Sequence, residues 1–359
     1  VRQGYGRGNS YFAYATPVGD GRTQVLVPSF REGIELSAAQ RYGDRGQSLI
    51  VGMTLSYELA RFEAPLGVID GDIEGADPIP DDQLPAGLAG QLNDYGATRV
   101  SVHLGLRRFR YAEYYGLDAL RDRLLVGLGG YIGISAGRGF DLFTPDDVRG
   151  LNDTFFRGIA TGTAGLGSSL FRASLSGEVR YNGGWRDQLA SAEFIGYLRN
   201  DGLPGQTFFV RSSFAGGWGA TGPFQLSLGG RESVRSLVED QFPGGRTARF
   251  TLEDRILLPW PKSAFDLGFT LFADAGRIWP GDAPLGVDSG WQYAVGGGIR
   301  FSLPARSRFA WRADIAVPAG PSTGDPVFRI GFELNRLARG FFTPDLQRSL
   351  RFGLGPESF

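Results

Sequence analysis

Arg235, Glu253 and Asp274 are the residues of this chain whose types and spacing could do chemistry together. Glu253 and Asp274 lie in neighbouring segments of alternating hydropathy, each on the polar side of its own segment. Two carboxylates facing one interior could work as an acid–base pair, or they could hold a guanidinium. Acid–base work needs a nucleophile or a histidine beside them, and a substrate pocket. His103 is the sole histidine, there is no cysteine, and no Gly-x-Ser-x-Gly elbow occurs. The parity of His103 with Ser101, Gly105 and Arg107 puts it on an inner strand face, and no catalytic residue is assigned. The remaining chemistry is charge-assisted pairing, which suits a planar guanidinium held between two strands. The run from Asp70 to Asp77 has the oxygen spacing of a calcium loop but lacks the full twelve-residue loop with its terminal glutamate. It reads as a solvated acidic loop, and neither a metal nor a cofactor is expected.

The elements that must position these groups are strands. From Phe265 to Trp279, Phe265, Leu267, Phe269, Leu271, Ala273 and Ala275 fall on one face. Asp266, Gly268, Thr270, Asp274 and Gly276 fall on the other, with Phe272 the bulky exception. The alternation repeats in the next three segments. Tyr293, Val295 and Ile299 oppose Gln292 and Arg300; Trp311 and Ile315 oppose Arg312 and Asp314; Phe328, Ile330 and Phe332 oppose Arg329 and Glu333. A soluble sandwich hides its apolar face and exposes its charge. Glycine and charge on the inner positions of strand after strand, with aromatics outside, suit a membrane barrel with a polar lumen. Phe265, Leu267, Phe269, Tyr293, Trp311, Phe328 and Phe332 form the expected lipid-facing belt.

Composition agrees. The chain has 359 residues, 56 of them glycine, with 13% aromatics. Mean hydropathy is −0.14, and no run of about 18 apolar residues occurs, so a helical membrane protein is excluded. A barrel is not, because alternation averages its hydropathy toward zero. Net charge is −1, which gives no electrostatic case for nucleic acid.

The fold expected is all-β, a transmembrane antiparallel barrel of fourteen to sixteen strands. Gln24–Phe30, Gly33–Arg41 and Phe224–Leu228 each read as a strand, and sixteen is favoured because a closed bacterial barrel needs an even count. Glu63–Gly96 reads as strand-free. Short turns on one side and long loops on the other place both termini in the periplasm of a Gram-negative cell. Residues 1–335 are expected to form the barrel, and residues 336–359 a periplasmic tail.

Three ordered motifs carry a family resemblance. The loop sequence from Gly229 and Gly230 to Val234, Arg235, Ser236 and Leu237 resembles the glycine-pair and Val-Arg-Gly-aromatic motif of the BamA/TamA outer-membrane assembly superfamily of surface-antigen-like barrels. The segment from Phe250 to Arg255, with Glu253, resembles that family's twelfth strand. Phe272, Asp274 and Gly276 resemble the Phe-x-Asp-x-Gly element of its thirteenth. The resemblance implies that the loop after the eleventh strand folds back into the lumen, where the motif arginine meets the acids on the wall. Ser236 and Leu237 depart from the family's glycine and aromatic.

The resemblance covers roughly residues 170–335 of the barrel, without the family's periplasmic POTRA modules. It implies insertion or translocation of outer-membrane proteins, or service as the membrane component of a larger assembly. The alternative is a barrel without insertase activity, a passive pore or a structural anchor. Expected partners are outer-membrane lipids and lipopolysaccharide, with client outer-membrane proteins or periplasmic partner proteins.

Overall fold

A side-chain period of two dictates strands whose faces meet different surroundings, and the computed structural model carries such strands along nearly the whole chain. It describes residues 2–333 apart from 18–22, 45, 70–75, 200–201, 204, 232 and 260–263. Among the described residues, fourteen long strands form one antiparallel sheet. They are β1 (Arg2–Ala15), β2 (Thr23–Gly43), β3 (Gln47–Phe62), β4 (Tyr95–Tyr115), β5 (Arg123–Phe140), β6 (Thr154–Leu166) and β7 (Ser169–Tyr181). Then come β8 (Trp185–Leu198), β9 (Gln206–Trp218), β10 (Arg246–Leu257), β11 (Asp266–Trp279), β12 (Gln292–Ser302), β13 (Ala310–Ala319) and β14 (Val327–Glu333).

Each strand pairs with the next in chain order, from β1–β2 through β13–β14. The sheet curls into a barrel, so that elements far apart in sequence meet inside it. The Ala15 amide donates to Gln225 Oε1 at 2.8 Å, and Arg329 on β14 donates to the carbonyl of Arg235 at 2.7 Å.

Among the described residues the count is fourteen, the low end of the expected range, for two physical reasons. Gln24–Phe30 and Gly33–Arg41 are one continuous strand, because Gly33 stays in register with Gly6 on one side and Glu58 on the other. A glycine paired on both edges does not break a strand. Within Phe224–Leu228, only Leu226–Leu228 is strand, and it pairs with Phe242–Gly244 in a separate ribbon. That segment is apolar because it is packed inside the barrel, not because it faces lipid. The loop that bears Arg235 therefore follows the ninth strand, and five strands come after it. Nor is Glu63–Gly96 strand-free: Leu66–Ile69 pairs with the start of β2, and two 3-10 turns follow at Asp81–Gln83 and Ala89–Gln91.

The two ends of the barrel differ. Connections 44–46, 116–122, 167–168, 199–205, 258–265 and 303–309 lie at one end; 16–22, 63–94, 141–153, 182–184, 219–245, 280–291 and 320–326 lie at the other, which carries the four longest. The strand starting at Arg2 and the strand ending at Glu333 both meet the short-turn end. The expected tail, 336–359, lies outside the described residues.

The two faces differ as sharply. On β11, Phe269 is 44% exposed on the outer face and Thr270 is 1% exposed on the inner one. Val102, Ile134, Leu175, Leu252, Val295, Trp311 and Ile330 are exposed likewise, so the apolar belt continues round the barrel. Leu175 and Ser176, mid-strand on β7, test this division. Ser176 Oγ lies 2.7 Å from Ser191 Oγ on the inner face. Leu175→Arg should destabilise the barrel in a phospholipid bilayer by about 2–4 kcal/mol, and Ser176→Arg by much less. Equal costs in urea unfolding of the two variants would refute the assignment of the faces.

Candidate functional site

The loop 219–245 cannot cross the barrel mouth as bare backbone without a partner for its polar groups, and it turns inward instead. Its two-stranded ribbon carries Gly229 and Gly230 at the tip, with φ of +145° and +86°. These are left-handed values that glycine adopts without strain. A Cβ on Gly229 would meet the Val238 carbonyl oxygen, and one on Gly230 the Glu239 carboxylate. The chain turns again from Val234 to Leu237, whose amide donates to the Val234 carbonyl at 3.0 Å.

That turn drives Arg235 into the wall. Its side chain is 4% exposed. Nε donates to Asp274 Oδ2 at 2.7 Å and Nη2 to Asp274 Oδ1 at 2.8 Å, a bidentate fork. Nη1 donates to Glu253 Oε1 at 2.9 Å. The guanidinium also lies over the Phe272 ring, 3.5 Å from its centroid. Glu253 sits on β10 and Asp274 on β11, so the loop residue bridges two adjacent strands.

The neighbouring groups balance the charge. Arg312 donates to Glu253 Oε1 at 2.9 Å and pairs with Asp314, while Arg255 donates to Glu253 Oε2 at 2.8 Å. Asp314 Oδ2 lies 3.6 Å from Arg235 Nη1. Three guanidinium groups thus face three carboxylates, all buried. Dehydrated ions are tolerated when neutralised and hydrogen-bonded in this way, and removing one partner leaves an uncompensated charge. Thr251 adds a hydrogen bond to Asp274 at 3.0 Å. From β14, Arg329 donates to the carbonyls of Arg235 and Leu237, fastening the turn from the far side.

Apolar burial shares the task. Fixing a loop residue costs about 1–2 kcal/mol of backbone entropy, more than three hydrogen bonds offset over residues 229–245. Leu226, Leu228, Val234 and Leu237 are buried in one cluster with Ile278 and Ala294 of the wall. Each such side chain contributes about 1.5–3 kcal/mol. Leu237 thereby makes its own packing contact where the family pattern has an aromatic. Gly276 supplies the room: a Cβ there would lie 2.8 Å from Leu228 and 2.9 Å from Val234.

The structure thus brings Gly229, Gly230, Val234, Arg235, Glu253, Asp274 and Gly276 together. The belt residues stand apart from them. Leu267 is half-buried, Phe269, Tyr293, Trp311 and Phe328 are exposed, and Phe265 precedes β11 with its ring 5.2 Å from that of Phe301. The backbone of Phe332 pairs with Trp311, and its side chain lies outside the described residues. His103 hydrogen-bonds Thr54 and Ser135, each at 2.8 Å. Of the acidic run, residues 70–75 lie outside the described residues.

Sequence reasoning missed two contributors. Phe272 is the platform under Arg235, signalled by its being a bulky apolar residue between Thr270 and Asp274 on the polar face of β11, paired in register with Gly296. A Cβ on Gly296 would lie 2.4 Å from that ring. The turn 116–122 also enters the lumen, from the short-turn end. The Leu117 carbonyl accepts from Arg255 at 2.9 Å, the Asp118 carbonyl accepts from Arg300, and Arg121 pairs with Asp266 at 2.8 Å.

No protein-family model and no curated protein matches the chain. Among solved structures, it is similar to BamA from Haemophilus ducreyi lacking POTRA domains 1-3, at 13% identity and a TM-score of 0.46 over 92% of this chain and 69% of that one. It is similar to CdiB from Escherichia coli at 13% identity and a TM-score of 0.41, and to CdiB from Acinetobacter baumannii at 14% and 0.39. It spans 58% and 55% of those two chains.

Arg235→Ala should leave Glu253 and Asp274 without their loop partner. Breaking a buried pair costs about 3–5 kcal/mol, so the loop should detach while the barrel stays folded. Limited proteolysis should then cut within residues 229–245 at least tenfold faster than in the parent. Arg235→Lys should protect only partly, since an ammonium cannot form the fork. Unchanged cleavage in both variants would show that the ion cluster does not hold the loop.

Proposed function

We propose that this chain is an integral outer-membrane barrel of the BamA/TamA type that acts on polypeptides. It inserts or translocates outer-membrane proteins, or forms the membrane component of a larger assembly that does so. The observation that carries this reading is the inward loop fastened by Arg235 to Glu253 and Asp274. Leu228, Val234 and Leu237, buried beside a neutralised ion cluster, occupy the lumen in that half. Steady solute conduction is therefore a poor use for it.

The apolar belt supports a place in a bilayer, and the proposed lipid partners there are outer-membrane lipids and lipopolysaccharide. The short-turn end, where both described chain ends lie, faces the periplasm. The first strand supports work on polypeptides. From Gln3 to Asn9, β1 is exposed on both faces, and nothing lies within 4 Å of a Cβ built on Gly4, Gly6 or Gly8. An unpacked, glycine-rich strand next to an exposed edge is suited to pairing with an incoming strand.

A second reading, a structural anchor that binds a partner without inserting clients, is favoured by the same packed lumen. One assay separates the two. The purified barrel is reconstituted in liposomes and given a urea-unfolded client barrel. The proposal expects client folding several-fold faster than in empty liposomes, and slower again with Arg235→Ala. Folding at the empty-liposome rate would overturn the insertase reading and leave the anchor.

A further inference from the structure

Within this barrel, the β4–β5 hairpin leaves the wall at the short-turn end. β3 pairs with β4 only as far as Gln47 and Arg108, and β5 pairs with β6 only as far as Gly129 and Thr163. β4 and β5 nevertheless stay paired to each other out to Tyr115 and Arg123. The free part of the hairpin is carried inward. Tyr114, Val126 and Leu128 pack on Leu170, Ile195, Tyr197 and Phe209, which lie on the inner wall. Gly165 makes that approach feasible, since a Cβ there would lie 1.8 Å from the Tyr114 hydroxyl. Gly129, with φ of +137°, sits where the hairpin turns in.

Where two strands turn inward, the wall keeps a recess of about 1460 Å³, bounded by the β2–β3 turn on one side and β6–β7 on the other. Its surface has two chemistries. Leu106, Ile132 and Leu175 are each more than half exposed beside it, and Gly162 lines its floor. Arg108 and Arg110 are exposed at its short-turn rim. Arg107 lines it too, donating to the Tyr111 hydroxyl at 3.0 Å. Asp44, the acid on the rim, is committed to its own turn: its Oδ1 accepts from the Gly46 and Gln47 amides, each at 2.7 Å.

Resting on the reading of the chain as a membrane barrel, we propose that this recess binds a glycerophospholipid with an anionic headgroup. Its acyl chains lie on the apolar surface and its phosphate meets Arg108 and Arg110. Arginine at a membrane boundary favours anionic headgroups, while an apolar floor of this size gives a free phosphate ion nothing to bind.

The test counts lipids bound to the purified, detergent-solubilised barrel by native mass spectrometry, after incubation with phosphatidylglycerol, phosphatidylcholine or inorganic phosphate. The parent should retain phosphatidylglycerol over phosphatidylcholine, and inorganic phosphate should not displace it. The double variant Arg108→Gln/Arg110→Gln should lose that retention on the order of tenfold. Gly162→Phe keeps both arginines and fills the floor, so it should lose retention as well; a Cβ at Gly162 meets only the Gly129 carbonyl, at 4.0 Å. Heat-modifiable gel mobility verifies that each variant is folded. Equal retention of the two lipids, displacement by phosphate, or full retention by either folded variant would overturn the site. Failure of the parent barrel to insert into vesicles would instead overturn the membrane reading beneath it.

Discussion

A guanidinium withdrawn from water must be neutralised at close range, and much of this barrel's C-terminal half is arranged around that requirement. Arg235 is delivered by a loop, so the acids that neutralise it have to come from the wall. They do: Glu253 and Asp274 project from adjacent strands, and Asp314 stands nearby on a third. Three carboxylates without further cations would be over-charged, and Arg255 and Arg312 restore the balance. The same crowding explains the glycines. Gly276 admits Leu228 and Val234, Gly296 admits the Phe272 ring, and Gly298 admits the Asp314 carboxylate. These residues are small because their neighbours are large or charged.

The two lumen-filling segments are joined through this cluster. Glu253 accepts from Arg235 on one oxygen and from Arg255 on the other, and Arg255 reaches on to the Leu117 carbonyl of the short-turn-end hairpin. The long loop from one end and the β4–β5 turn from the other are therefore held by one chain of ionic contacts about a single carboxylate. Toward the short-turn end, β1 has open space from Gln3 to Asn9, while Phe12, Tyr14 and Ala15 at its other end are buried. The interior is packed around the ion cluster and β1 is unpacked from Gln3 to Asn9, and the proposed work on an incoming chain rests on that asymmetry.

Much of this was legible in the sequence because strand parity is a strict local rule. Alternation alone places Glu253, Asp274, Arg312 and Asp314 on the inner face, and the strand that carries Glu253 is β10, Arg246–Leu257. What was not legible depended on non-local contacts. Arg31 and Glu32 fall between two expected strands, yet their pairing with Gly8 and Arg7 on one side and Ala60 and Leu59 on the other keeps β2 unbroken. Phe224–Leu228 looked like a wall strand because burial inside the lumen demands the same apolar residues as exposure to lipid. The inward path of residues 116–122 left no local sign, since Leu117, Asp118 and Arg121 are ordinary turn residues until Arg255, Arg300 and Asp266 meet them.

The central claim is that the ion cluster around Arg235 keeps the loop inside the barrel. Since the chain contains no cysteine, a single reporter can test it. Ser236 is 7% exposed, and its Oγ makes no hydrogen bond among the described residues, so Ser236→Cys disturbs little. The measurement is the rate at which a membrane-impermeant maleimide labels that cysteine in the folded barrel. The account predicts slow labelling with Arg235 present and labelling at least tenfold faster when Arg235→Ala is added. Fast labelling with Arg235 in place, or equal slow labelling in both proteins, would contradict it.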